Sequence, residues 1–130
     1  MLGTFQQSHL RFEIDAKAPT IRDSLLLVPH LRQWLQPQTL PPGLPERLTP
    51  GLSFVSHLGP IAVAHQVDCV GDNYLRLLLS QGIDGFHEWY WGDGWLQSCL
   101  EGISLLPLNL GQTASLLRLR YFIQHCQSSD

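Results

Sequence analysis

Basic charge is scarce in this chain. Of its 130 residues one is lysine, Lys17, and seven scattered arginines complete the basic set, with Arg118 and Arg120 the only close pair. Phosphate recognition needs clustered Lys and Arg, so nothing here reads as a nucleic-acid footprint or a polybasic membrane anchor. Charge of either sign is sparse, at 15% of residues with a net charge of −3, against about a quarter in an average domain. Together with a 44% hydrophobic fraction, that deficit argues against disorder and for a large buried fraction, an apolar cavity or a partner-facing patch. No apolar run approaches the ~18–20 residues of a membrane span. The opening Met1-Leu2-Gly3-Thr4-Phe5 has no positive region ahead of an apolar stretch, so no signal peptide is read there.

Metal and disulfide spacing is also lacking. Cys69, Cys99 and Cys126 lie far apart and odd in number, without a CxxC or a His/Cys pattern. They are read as reduced thiols acting as small buried apolar groups. His57, His65 and His87 show no HxH or HxxxH spacing, so neither metal nor other cofactor is expected. Nucleophile elbows and phosphate loops are missing as well. Ser98 lies mid-strand without flanking glycines, and Gly92-Asp93-Gly94 is followed by no GxGxxG or GxxxxGK pattern.

What is present alternates. In Ser8 to Asp15, Leu10, Phe12 and Ile14 share one face, the signature of a half-buried strand. Pro19 suits the first turn of a helix in which Ile21, Leu25 and Val28 recur; Pro29 interrupts it and opens a second short helix to Gln36. Residues 37–50 hold five prolines and form a long loop. Strands are then read over Leu52–Leu58, Ile61–Cys69, Tyr74–Gln81, Phe86–Trp91 and Trp95–Leu105, separated by Gly-Pro and Gly-Asp turns. Gly111 to Gln127 reads as a helix capped by Asn109 or Thr113, apolar most of the way round and so buried on more than one side. The tail from Gln127 to Asp130 should fray. The order predicts one α+β domain over residues 1–130, a curved antiparallel sheet gripping a C-terminal helix.

That order, with Ile14-Asp15-Ala16-Lys17-Ala18-Pro19, the segment Leu26 to Trp34, and Glu88-Trp89-Tyr90-Trp91 before Gly-Asp-Gly, resembles the helix-grip fold of the START-like superfamily. That group includes the major birch-pollen allergen family and the polyketide cyclase/dehydrase-like proteins. The resemblance implies a cavity between sheet and helix that binds a hydrophobic or amphipathic small molecule such as a lipid, isoprenoid or pigment. It also admits an assembly factor acting on a protein partner, or a small cyclase- or hydrolase-like enzyme using His87 or Glu88. Binding without catalysis is the favoured reading, in the cytoplasm.

Strand parity makes the candidate lining specific. His87, Trp89 and Trp91 share one face and Phe86, Glu88 and Tyr90 the other. If the first set faces inward, two indoles and an imidazole enter the cavity; if the second does, Glu88 is a buried carboxylate. A cross-strand aromatic ladder with no ligand role is the plainer alternative. The candidate ligand-binding residues are Trp34, His65, Leu75, Leu77, Leu79, His87, Trp89, Trp91, Leu117 and Tyr121, with Leu117 and Tyr121 as lid and the proline loop at the mouth.

Overall fold

The computed structural model describes residues 3–127, with Cys126 and Gln127 in their backbone only. The expected frayed tail at 128–130 lies outside the described residues. Strand β1 (Thr4–Glu13) leads to helices α1 (Ala18–Leu26) and α2 (Val28–Trp34). The meander β2 (Ser53–Leu58), β3 (Ile61–Gly71), β4 (Tyr74–Gln81), β5 (Asp84–Gly92) and β6 (Trp95–Ser104) follows, then α3 (Leu108–Phe122) and a π-helical turn, Ile123–Gln127. The six strands form one curved, open antiparallel sheet in the order β1-β6-β5-β4-β3-β2. This is the predicted α+β helix-grip architecture.

Local chemistry explains the joints. The chain leaves helical geometry at Leu27, which caps α2 with Pro29 in its first turn, where a missing N–H costs nothing. The proline loop returns into that break: Val28 N–H donates to Glu46 O at 2.8 Å and Leu48 N–H to Leu26 O at 2.9 Å. The loop is thereby pinned to the helices at one end. At the other end of the sheet the β5–β6 turn does the work of a helix cap. Lys17 gives α1 no side-chain cap, and the Ala18 N–H donates instead to Asp93 Oδ1 at 2.8 Å. Gly94, at φ 85°, takes the left-handed conformation that only glycine adopts at low cost.

Neither expected cap serves α3. It starts at Leu108, and the Leu108 N–H donates to Gln6 Oε1 at 3.0 Å, so a glutamine on β1 caps the last helix. Nor is α3 buried on several sides. Its buried stripe is Leu108, Gln112, Leu116, Leu119 and Phe122, while Leu117 and Tyr121 are 61% and 63% exposed. The apolar residues wrap the helix, but at 3.6 residues per turn only one stripe meets the sheet, and the rest of that apolar surface faces outward.

Two boundary details matter for the site. A bulge between Val67 and Cys69 shifts the β3–β4 register and turns the Cys69 thiol out to solvent, which corrects its reading as a buried group; Cys99 is buried. The outward face of the sheet carries Arg76, 3.7 Å from Asp68 and 3.9 Å from Glu88, the kind of half-exposed pairing that contributes little stability.

Candidate functional site

Packing divides the interior into two halves. Trp91, Leu96, Ile21, Leu25, Leu119 and Ile123 are almost completely buried and fill the half where β5 meets α1 and the end of α3. In the other half the side chains do not meet. A partly open cavity of about 430 Å³ lies between β2–β5, α2, the loop and the first turns of α3. From α3 it takes Leu108, Gln112, Ser115 and Arg118, and nothing beyond Arg118. The helix therefore plugs one half of the sheet and spans an open space over the other.

Of the ten candidate residues, seven line this space: Trp34, His65, Leu75, Leu77, Leu79, His87 and Trp89. Three do not. Trp91 shares the face of His87 and Trp89 but sits at the packed end of β5, 1% exposed. Leu117 and Tyr121 project from the outer side of α3 and cannot act as a lid. The lid positions belong to Gln112, Ser115 and Arg118, one helical face further round. The loop does reach the mouth, through Pro37, Gln38, Leu40 and Leu48.

The aromatic walls are ordered by mutual contact. Trp34 meets Trp89 edge-on at 6.3 Å between centroids, and its indole N–H donates to Ser24 O at 2.8 Å. His87 stacks on Trp89 at 4.4 Å, and His65 on Phe54 at 4.9 Å. Such pairs fix ring planes as well as burying area.

Polar groups enter the cavity as two parallel relays that spacing does not reveal. Gln38 Nε2 donates to Ser56 Oγ at 2.7 Å, and Ser56 Oγ lies 2.8 Å from His65 Nε2. Gln112 Nε2 donates to Ser98 Oγ at 3.0 Å, and Ser98 Oγ lies 2.6 Å from His87 Nε2. Each serine hydroxyl receives a proton from an amide, which directs its own proton to the imidazole Nε2. Both imidazoles are thereby neutral, with the ring proton on Nδ1. The signal in the sequence was parity: Ser56 stands between Phe54 and Leu58, and Ser98 between Leu96 and Leu100, each a small polar residue at an inward position. Gln112 interrupts the Leu108–Leu116 stripe in the same way.

Burial lowers the pKa of His65 to about 4, and burial followed by the neighbouring His65 charge lowers that of His87 to about 3. Both values lie below the ~6.5 of an unfolded histidine, so the unfolded chain binds more protons as the pH falls through that range. The stability from keeping these rings neutral is complete above pH ~6.5–7 and is lost as acid approaches the folded values. Unfolding free energy measured in urea should fall by about 3 kcal/mol between pH 7 and pH 4, with half-buried rings facing a water-accessible cavity moderating the full shift. His65→Gln and His87→Gln should each flatten that slope. A wild-type curve no steeper than the double variant's would refute the assignment.

Glu88 is absent from this interior. It projects from the opposite sheet face, where it accepts a 2.6 Å hydrogen bond from the Tyr74 hydroxyl. Burial and the adjacent Glu88 raise the Tyr74 pKa. His87 and Glu88 therefore cannot share one reaction centre. Among the described residues no three His, Cys, Asp or Glu side chains converge as metal ligands, and no helix is long and apolar enough to cross a membrane.

No protein-family model matches the sequence, and no curated protein matches it either. Solved structures match throughout the fold. DynU16, a protein of the dynemicin biosynthetic locus, superposes at TM-score 0.69 with 15% identity over 93% of this chain; the chain spans about half of that protein, 48%. A protein of Chromobacterium violaceum gives 0.71 with 18% identity, over 91% of this chain and 97% of the other. The Aha1 dimer from Colwellia psychrerythraea gives 0.70 with 11% identity, over 92% and 97%. At such identities the likeness is one of fold, and it agrees with the START-like resemblance.

Proposed function

We propose that this chain, built on the fold those structures share, binds a hydrophobic or amphipathic small molecule in the space between its sheet and α3. The carrying observation is the cavity itself, about 430 Å³ with walls of Leu, Ile, Val, Phe and Trp. Protein interiors rarely leave voids larger than a water molecule. At ~24 cal/mol per Å³, a sealed void of this size would cost on the order of 10 kcal/mol, comparable with the whole stability of a domain. A space of this size that opens to the outside is suited to an occupant. Its volume falls within the ~300–1,000 Å³ of small-molecule sites, which are likewise mainly apolar with a few placed polar groups. DynU16's origin in a biosynthetic locus is compatible with that reading.

The test is a blocked cavity. Leu77 points into the space from β4, and Leu77→Trp should fill it while the fold survives, since the added volume enters empty room. The neutral dye Nile red should bind the wild-type protein with enhanced fluorescence, and Leu77→Trp should weaken binding at least ~10-fold. Equal binding by both proteins would refute the site.

Assembly with a protein partner is the second reading, and one observation favours it. Leu110, Leu117 and Tyr121 are all more than 60% exposed and recur at helical spacing on the outer side of α3. An apolar stripe of this kind is more often an interaction surface than a solvated face.

A further inference from the structure

Within the cavity two buried polar atoms have no partner: Gln112 Oε1 and His65 Nδ1. Gln112 is 4% exposed, and its amide orientation is fixed. Gln112 Nε2 donates to Ser8 O at 3.0 Å, Ser98 O at 3.1 Å and Ser98 Oγ at 3.0 Å. Carbonyl oxygens accept only from the NH2 end, so the carbonyl end must be the one left over. His65 is fixed by the same logic. Its Nε2 takes the Ser56 proton, so Nδ1 carries a hydrogen with nothing to receive it. A buried group without a partner costs about 1–3 kcal/mol, and native structures seldom keep two of them in one cavity.

We infer that the ligand is an uncharged, mainly apolar molecule bearing a hydroxyl group, whose proton is accepted by Gln112 Oε1, and a hydroxyl or carbonyl oxygen that accepts from His65 Nδ1. The inference rests on the cavity being a ligand site and narrows its chemistry. An acceptor-only head group fails at Gln112, because a carboxylate or phosphate oxygen would face a carbonyl oxygen. The one cation lining the space, Arg118, is already engaged: Nε donates to Trp34 O at 3.2 Å and Nη2 to Ser115 Oγ at 3.1 Å. Both imidazoles are held neutral by serine protons, so no positive charge inside offsets an anion. The stacked His87–Trp89 and Phe54–His65 faces suit a flat ring skeleton.

Three probes of one skeleton test this: 2-naphthol, which donates and accepts; 2-methoxynaphthalene, which only accepts; and 2-naphthoate, an anion. Binding is followed by quenching of tryptophan fluorescence in the wild-type protein. 2-Naphthol should bind about tenfold more tightly than 2-methoxynaphthalene, the worth of one hydrogen bond of ~1.4 kcal/mol, and 2-naphthoate most weakly. In Gln112→Leu the alcohol-over-ether preference should vanish while the ether still binds. Ether binding shows that this variant is folded, and the wild-type ratio stands without it if it is not. Should the ether or the anion match the alcohol in the wild type, the hydroxyl inference fails and the cavity reading survives. Should no probe bind, and Nile red also fail, the cavity reading falls and takes the inference with it.

Discussion

Gly85→Ala should prevent β5 from closing on β6, with a loss of at least ~4 kcal/mol in folding stability or failure to accumulate soluble protein. Gly85 faces Gly102 directly across those strands. A Cβ at position 85 would collide with the Glu101 carbonyl oxygen and lie 2.5 Å from Gly102 Cα. Both are backbone atoms, so no rotamer change relieves the clash. A Cβ at 102 would meet Asp84 O at 2.8 Å. The paired glycines allow the strands to approach closely on the concave side, where glycines commonly mark a tight bend. Gly111→Ala is the control. It lies in α3 with open space around its Cβ position, so alanine there should raise stability by ~0.5–1 kcal/mol through helix propensity. Urea midpoints compare the three proteins, and a Gly85→Ala midpoint near that of wild type would refute the close approach.

Trp91→Ala should cost about 3–5 kcal/mol, the range for deleting a fully buried large aromatic. Trp91 is 1% exposed and belongs to the half of the interior with no free space to collapse into. Trp91→Phe should cost much less, under ~2 kcal/mol. The indole Nε1 has no hydrogen-bond partner, so its removal leaves nothing unsatisfied, and only volume is lost. Because Trp91 does not line the cavity, Trp91→Phe should bind Nile red as the wild type does. Trp89→Phe, by contrast, removes an indole that both lines the cavity and stacks on His87. Equal effects of the two Phe variants on dye binding would show that the interior is not divided as described.

That division explains how far the sequence could be read. Period-two alternation in Leu75, Leu77 and Leu79, and in His87, Trp89 and Trp91, gave the inward face correctly, because side chains on a strand alternate whatever the strand packs against. It could not say how far along the strand the cavity extends. Trp91 has the same parity as Trp89, two residues away, but α1 covers its end of β5. Helical positions were harder still. Leu117 and Tyr121 looked like core residues, but apolar side chains surround α3, and composition alone does not pick which stripe turns inward. The polar relays were legible only as exceptions, in serines and a glutamine at apolar positions.

By itself the sequence determined the elements, their order, the inward parity of each strand and the low charge, all of which depend on local chemistry and periodicity. Only the tertiary structure decided the phase of α3, the Asp93 and Gln6 caps supplied from distant strands, and the loop pinned into the Leu27 break. It also decided that two glutamines, two serines and two histidines meet in one space. These are contacts between residues far apart in the chain, as with Gln112 and Ser8 or Gln38 and Ser56. Such contacts are set by how the sheet curves and where the helix lands, which no short window of sequence encodes.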